Sequence, residues 1–209
     1  MQRFFVTVFL GLSLFLQSFM AAATWQEASV EVRQTIEDMI VVIDTHRAQQ
    51  PVDITAVSTD IEKIVDRDVD FEYISKWVMG KYYRQASDDQ RAKFAVVFKQ
   101  TLIKTYAKSL LEFDIDAYKL VEPNAVSPED DKQIVSVEVT SKAGVSYTLV
   151  NYMVKANGDW KLVNVMLDGI NLRITFQNQF AEMMQRTQYD VGRVVDSWEA
   201  KVDDKPVQS

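Results

Sequence analysis

Residues 145–170, VSYTLVNYMVKANGDWKLVNVMLDGI, decide the fold. Asn157-Gly158 offers two adjacent residues that tolerate positive φ, as a type I′ turn requires, and apolar residues flank it on both sides. The stretch therefore predicts a β-hairpin with Ala156 opposite Asp159. Counting outward from the turn sets the register. Tyr152 then stands opposite Val163 and Val150 opposite Val165 on one face, with Val154 and Leu167 near the ends. The other face carries Trp160, Met153 opposite Leu162, Leu149 opposite Met166, and Tyr147, interrupted by Asn151 opposite Asn164. A sheet with one wet face alternates apolar and polar residues. This hairpin is apolar on both faces, so each needs a cover.

Further strands lie just upstream. Residues 133–141 place Val135, Val137 and Val139 on one face, residues 117–126 form another strand, and Lys142-Ala143-Gly144 turns the chain into the hairpin. Everything before them has a helical period. Residues 27–47 carry Val32, Ile36, Met39, Ile40 and Ile43 at helical spacing, with Pro51 as the stop. Shorter helices are expected over residues 55–67 and 71–79, the second ended by Gly80. Ser87-Asp88-Asp89-Gln90 is a capping box. It opens a long helix to about residue 113, with Phe94, Phe98, Leu102 and Tyr106 on its apolar stripe. After Gly169 the helical pattern returns through Leu172, Phe176, Phe180 and Met184, and a last helix is expected over residues 190–201. Consecutive strands joined by short turns, with helices before and after, give an α+β domain. Its centre is a twisted antiparallel sheet of about four strands wrapped by helices.

The chain begins MQRFFVTVFLGLSLFLQSFMAAA. Arg3, the apolar run behind it and the small residues at 21–23 read as a secretory signal peptide, residues 1–23, cleaved after Ala23. That leaves a single domain over residues 24–202 and a flexible tail over residues 203–209. The chain has no cysteine, which excludes thiol chemistry and leaves an exported domain to be held by packing alone. Its net charge of −7 argues against a nucleic-acid partner.

Few residues suggest chemistry. His46, the single histidine, follows Asp44 by two positions, as a base oriented by a carboxylate would. The plainer reading is an exposed polar residue near a helix C-terminus, where the dipole favours it. Asp66, Asp68 and Asp70 alternate like calcium ligands, but the glycine and terminal glutamate of a calcium loop are missing; a solvated, helix-capping stretch explains them better. Asp168-Gly169 reads as a turn rather than an anion nest. No G-x-S-x-G, P-loop or dinucleotide fingerprint occurs. The reading is of a protein that is not an enzyme and needs no metal or cofactor. What the chain has in abundance is large apolar surface.

Residues 70–113, DFEYISKWVMGKYYRQASDDQRAKFAVVFKQTLIKTYAKSLLEF, and residues 157–180, NGDWKLVNVMLDGINLRITFQNQF, resemble the MlaC, or toluene-tolerance, family. The resemblance rests on Asp70-Phe71, Gly80 with Tyr83-Arg84, Gln90-Arg91 with Phe94 and Phe98, Thr105-Tyr106, and Asp159-Trp160 with Asp168-Gly169, in order. It departs at Phe176-Gln177, where the resemblance implies an aromatic followed by arginine. It implies a periplasmic phospholipid carrier of Gram-negative bacteria, with helices and sheet enclosing an apolar pocket for acyl chains and the head group facing solvent. Phospholipid is then cargo rather than cofactor. The implied partners are an inner-membrane ABC transporter complex with its substrate-binding ring and an outer-membrane lipoprotein–porin complex.

On this reading the pocket wall is the hairpin face with Val150, Tyr152, Val163, Val165 and Leu167, joined by Phe98 and Tyr106 from the long helix and Phe176 from the later one. The Met153–Leu162 face is the second choice. A different class, an exported chaperone domain whose apolar groove holds a peptide or lipoprotein, would need polar groups to satisfy a backbone. A hydrolase would have His46 as its only candidate base.

Overall fold

A computed structural model describes residues 24–125 and 127–199 in full, and residues 2–23 as backbone. The expected signal peptide therefore falls on residues without described side chains, and the expected tail lies outside the described residues. Four helices come first: α1 (Gln2–Arg47), α2 (Ile54–Asp68), α3 (Phe71–Met79) and α4 (Asp88–Glu112), with a 3₁₀ turn over Gly80–Arg84. Five strands follow: β1 (Ile115–Val121), β2 (Lys132–Ser141), β3 (Ser146–Ala156), β4 (Asp159–Leu167) and β5 (Ile170–Asn171). The chain ends in α5 (Leu172–Arg186) and α6 (Val191–Asp196).

Local chemistry explains the boundaries. Asp53 accepts the Thr55 and Ala56 N–H groups at the start of α2, and Asp70 accepts the Tyr73 N–H at the start of α3. The capping box of α4 is complete: Ser87 Oγ accepts the Gln90 N–H while Gln90 Oε1 accepts the Ser87 N–H. Gly80 closes α3 at φ 55°, a region favouring glycine. The Gln177 side-chain amide donates to the Trp77 carbonyl, and its Nε2 lies 2.7 Å from where a Cβ on Gly80 would stand. Gly80→Ala must strain the backbone and displace that amide; we expect a loss of about 1–3 kcal/mol, read as a lower urea midpoint at unchanged slope.

All strand pairs are antiparallel, in the order β1-β2-β3-β4-β5. The sheet has four long strands, as expected, and one more. Asp168 and Gly169, both at positive φ, turn the chain so that β5 pairs with Met166 and Leu167. Asn157-Gly158 forms its turn, also with both φ values positive, and Ala156 pairs with Asp159.

The register departs from the expected one halfway along the hairpin. Met153 pairs with Leu162, but Tyr152 pairs with Asn164, not Val163. Val163 is the extra residue of a β-bulge, and every pair beyond it shifts by one: Asn151 with Val165, Val150 with Met166, Leu149 with Leu167. Directly opposed residues share a face. Val165 and Leu167 therefore lie with Leu149 and Asn151, while Val150 and Tyr152 lie on the other side. The single face expected for these residues is split by the bulge.

Each face has its own surroundings. Val135, Val137 and Val139 share a buried cluster with Met153, Trp160 and, from α1, Ala28 and Val32. Each such side chain contributes roughly 1.5–3 kcal/mol through removal from water. Polar contacts pin the same helix down. Trp25 Nε1 donates to the Ile134 carbonyl, Gln133 Nε2 donates to Thr24 Oγ1, and Glu27 receives Lys155 Nζ at 2.6 Å. The opposite face is only partly covered: Ile134 is exposed, and Val150, Tyr152, Val154 and Met166 are half-buried.

The helices α3 to α6 build a second core around aromatic rings. Phe94 lies 5.0 Å from Phe180 and 5.1 Å from Trp198 between ring centroids, both edge-to-face, and 5.7 Å from Phe98. Trp198 also explains why α6 is shorter than the expected 190–201. The helix stops at Asp196 so that the buried indole can reach this cluster. A third, smaller core joins α1, α2 and α4 through Val57, Ile61 and Ala107.

His46 is not the exposed residue expected. It is buried, with Nε2 2.9 Å from Asp60 Oδ2 and no partner for Nδ1 among the described residues. Lys63, and after it His46, hold the Asp60 carboxyl below its usual range. The Asp66–Asp70 stretch behaves as capping and ion pairing, except that Asp68 is buried, bound by Arg67 and Thr35.

Candidate functional site

The bulged strand β4 is where the helices meet the sheet. The Asp70 N–H donates to the Leu162 carbonyl at 3.0 Å, tying the start of α3 to one side of the bulge. Just beyond it, Asn164 Oδ1 accepts the Arg173 N–H at 3.2 Å and ties the start of α5. Asn171 caps that helix by accepting the Ile174 N–H. A bulge bends its strand and redirects side chains; here it separates two helix anchors on one strand.

Between those helices, α4 and the strand lies an apolar cavity of about 180 Å³. The helices contribute Phe71 and Ile74, Phe98 and Leu102, and Leu172 and Phe176; the strand contributes Leu162 and Val165. Phe98 anchors the wall, its ring 5.2 Å from Phe176 and 6.3 Å from Phe71, both edge-to-face. Only two polar residues join the lining, Asn164 and Arg173. The Arg173 guanidinium lies 5.2 Å from the ring centre of the half-exposed Trp77, and no acid pairs with it among the described residues. Away from this lining, Lys76 and Arg91 lie over the Tyr83 ring and Lys81 over Tyr82, with Arg91 also paired with Asp88.

Two larger grooves, of about 530 and 540 Å³, have a different chemistry. One runs past Asn178, Gln179, Glu182 and Arg186, which do not suit a hydrocarbon ligand. The other mixes Asp66, Glu72, Lys99 and Lys161 with Val69, Phe71 and Val96, and shares Val69 and Phe71 with the apolar cavity. Among the described residues no group of three or more histidine or acidic side chains converges as a metal site. His46 does not line the cavity, and its ring is hydrogen-bonded to Asp60.

Of the residues expected to form the wall, Phe98, Val165 and Phe176 meet at the cavity. Tyr106 lies farther along α4, and Leu167 pairs with Leu149. Val163 is buried at the bulge; Val150 and Tyr152 lie across the sheet. Sequence reasoning missed Leu162 because an unbroken alternation put it on the face opposite Val165, and missed Asn164, which pairs with Tyr152, because alternation gives no sign of a cavity bordered by consecutive residues of β4. It missed Arg173 because one cation at the start of a helix gives no sign of the cavity beside it.

Comparison with known proteins adds an independent line. Residues 33–200 match the family described as MlaC protein. The chain is 30% identical over 172 residues to the toluene tolerance protein ttg2D of Pseudomonas putida, covering 82% of this chain and 79% of that protein. A phospholipid-binding protein from Ralstonia solanacearum, solved in complex with a phospholipid, shares the fold. The TM-score is 0.72 at 22% identity, over 81% of this chain and 93% of that one.

Proposed function

The chain belongs to the MlaC family, and from that premise we propose that it is a periplasmic carrier that moves phospholipid between the outer and inner membranes. The observation that carries this reading is the cavity between α3, α4, α5 and β4, walled by phenylalanine and aliphatic side chains and polar only at Asn164 and Arg173. Such a wall suits acyl chains and gives a peptide backbone almost nothing to bond, which favours a lipid over the chaperone reading. The structural relative from Ralstonia solanacearum, described as phospholipid-binding, supports the same choice of cargo.

Moving a lipid from a bilayer into such a site exchanges one hydrocarbon surrounding for another. No bond is broken, so no catalytic group is needed. The protein's work is to keep the tails dry, since each exposed methylene costs about 0.8 kcal/mol. The lipid site extends Phe98, Val165 and Phe176 by Phe71, Leu102 and Leu162. Ligand sites usually measure about 300–1,000 Å³, so α3 and α5 must draw apart from β4 to admit a chain. An inner-membrane ABC transporter complex with its substrate-binding ring and an outer-membrane lipoprotein–porin complex are the proposed exchange partners, and direction comes from them.

Organic extraction of the purified protein, followed by mass spectrometry of the lipid phase, tests the proposal. About one phospholipid per chain is expected, either as isolated or after incubation with phospholipid vesicles. Recovering none under both conditions would remove the carrier function.

A further inference from the structure

Asn164, one of the residues lining the cavity, has an unused donor. The residue is 4% exposed, and its Oδ1 is committed to the Arg173 N–H. That bond fixes which end of the side-chain amide is oxygen, because a backbone N–H needs an acceptor. Its Nδ2 is buried and has no partner among the described residues. Buried, unpaired donors are rare in native proteins and call for an explanation. Water is a poor one here, since a buried water needs two to four polar partners and the surrounding wall is hydrocarbon.

The second observation is independent of the first. Arg173, the only charged residue of the lining, rests on the Trp77 ring and has no acid partner among the described residues. Stacking holds the guanidinium plane and leaves its five N–H donors free to fork onto an oxyanion. A buried neutral donor without a partner and a cation without an acid, both among the described residues, therefore belong to side chains that line one apolar cavity. A diacyl glycerophospholipid presents the complementary order, with ester carbonyls at the head of the tails and a phosphate just beyond.

We propose that Asn164 and Arg173 form the polar pole of the lipid site. Asn164 Nδ2 donates to an acyl-ester carbonyl, and Arg173, braced by Trp77, pairs with the phosphate. This rests on the carrier reading and adds to it: the site recognises the ester linkage and the phosphate as well as tail length, and it fixes the direction in which the lipid enters.

The test leaves the protein unaltered at first. Delipidated wild type is offered phosphatidylglycerol with ester-linked chains or its ether-linked analogue, which lacks the carbonyls, and bound lipid is titrated. Ester lipid should bind roughly 5- to 10-fold tighter, the worth of one neutral hydrogen bond. Asn164→Leu should bring that ratio to one. Arg173→Gln should weaken phosphatidylglycerol at least about 10-fold more than diacylglycerol with the same chains, because only the former offers a charge-assisted partner. Equal binding of ester and ether lipid by the wild type overturns the Asn164 assignment even if Asn164→Leu does not fold. Equal losses for both ligands in Arg173→Gln overturn the phosphate pairing. Binding of no lipid at all would instead remove the carrier reading, and this inference with it.

Discussion

Val165→Asp should yield a folded, soluble protein that retains less than about one tenth of the wild-type phospholipid, while Val150→Asp should retain nearly all of it. The two valines were expected side by side on one face, and the bulge at Val163 puts them on opposite faces. Val165 is half-buried and lines the cavity, so a carboxylate there can stay hydrated in the lipid-free protein but must be stripped of water when hydrocarbon arrives. Val150 pairs with Met166 on the partly covered side of the sheet, where a charge can point into water. Circular dichroism and lipid extraction on both variants give the answer. If the losses are reversed, or both variants keep their lipid, the cavity beside β4 is not where the tails lie.

Phe94→Ala should be the most destabilising single truncation in the helical core, at about 3–5 kcal/mol. Phe94 is fully buried on α4 and touches rings from α4, α5 and the segment after α6. Deleting it leaves a void and removes two edge-to-face pairs, each adding about 0.5–1.5 kcal/mol beyond burial. With domain stabilities of roughly 5–15 kcal/mol, the variant should approach or cross the point of unfolding at 37 °C. A urea midpoint within experimental error of wild type would mean that this cluster does not hold the helices together.

Much of this architecture was open to inspection in the linear chain, for local reasons. Helix starts are written in side chains that bond their own backbone, so Ser87-Gln90 and Asp70 placed α4 and α3 to the residue. The turn at Asn157-Gly158 was equally local. The bulge was not. Nothing in the alternation of residues 159–167 marks Val163 as surplus, because apolar residues occupy both phases of the pattern. The extra residue falls between the two points at which helices dock on β4, the Leu162 carbonyl and Asn164, and those partners are distant in sequence. One undetected residue then moved Val150 and Tyr152 across the sheet from Val165. The helical wall was more secure, since Phe98 and Phe176 face inward whichever way the strand is phased. The burial of His46 was hidden for a similar reason: its cover, α2, comes from another part of the chain.

The way α1 is fastened has a consequence for the order of assembly. The indole of Trp25 bonds a carbonyl 109 residues downstream, and Glu27 meets Lys155 and Trp160 still farther along. Helix α1 thus finds its place only after β2 and the hairpin have formed. Contacts this distant in sequence slow folding, because the intervening loop must close before any of them forms. Ala28, Val32 and Ile36 stay uncovered through that interval. The surface that buries this stripe is the sheet, so the seat of α1 does not exist until the strands have paired.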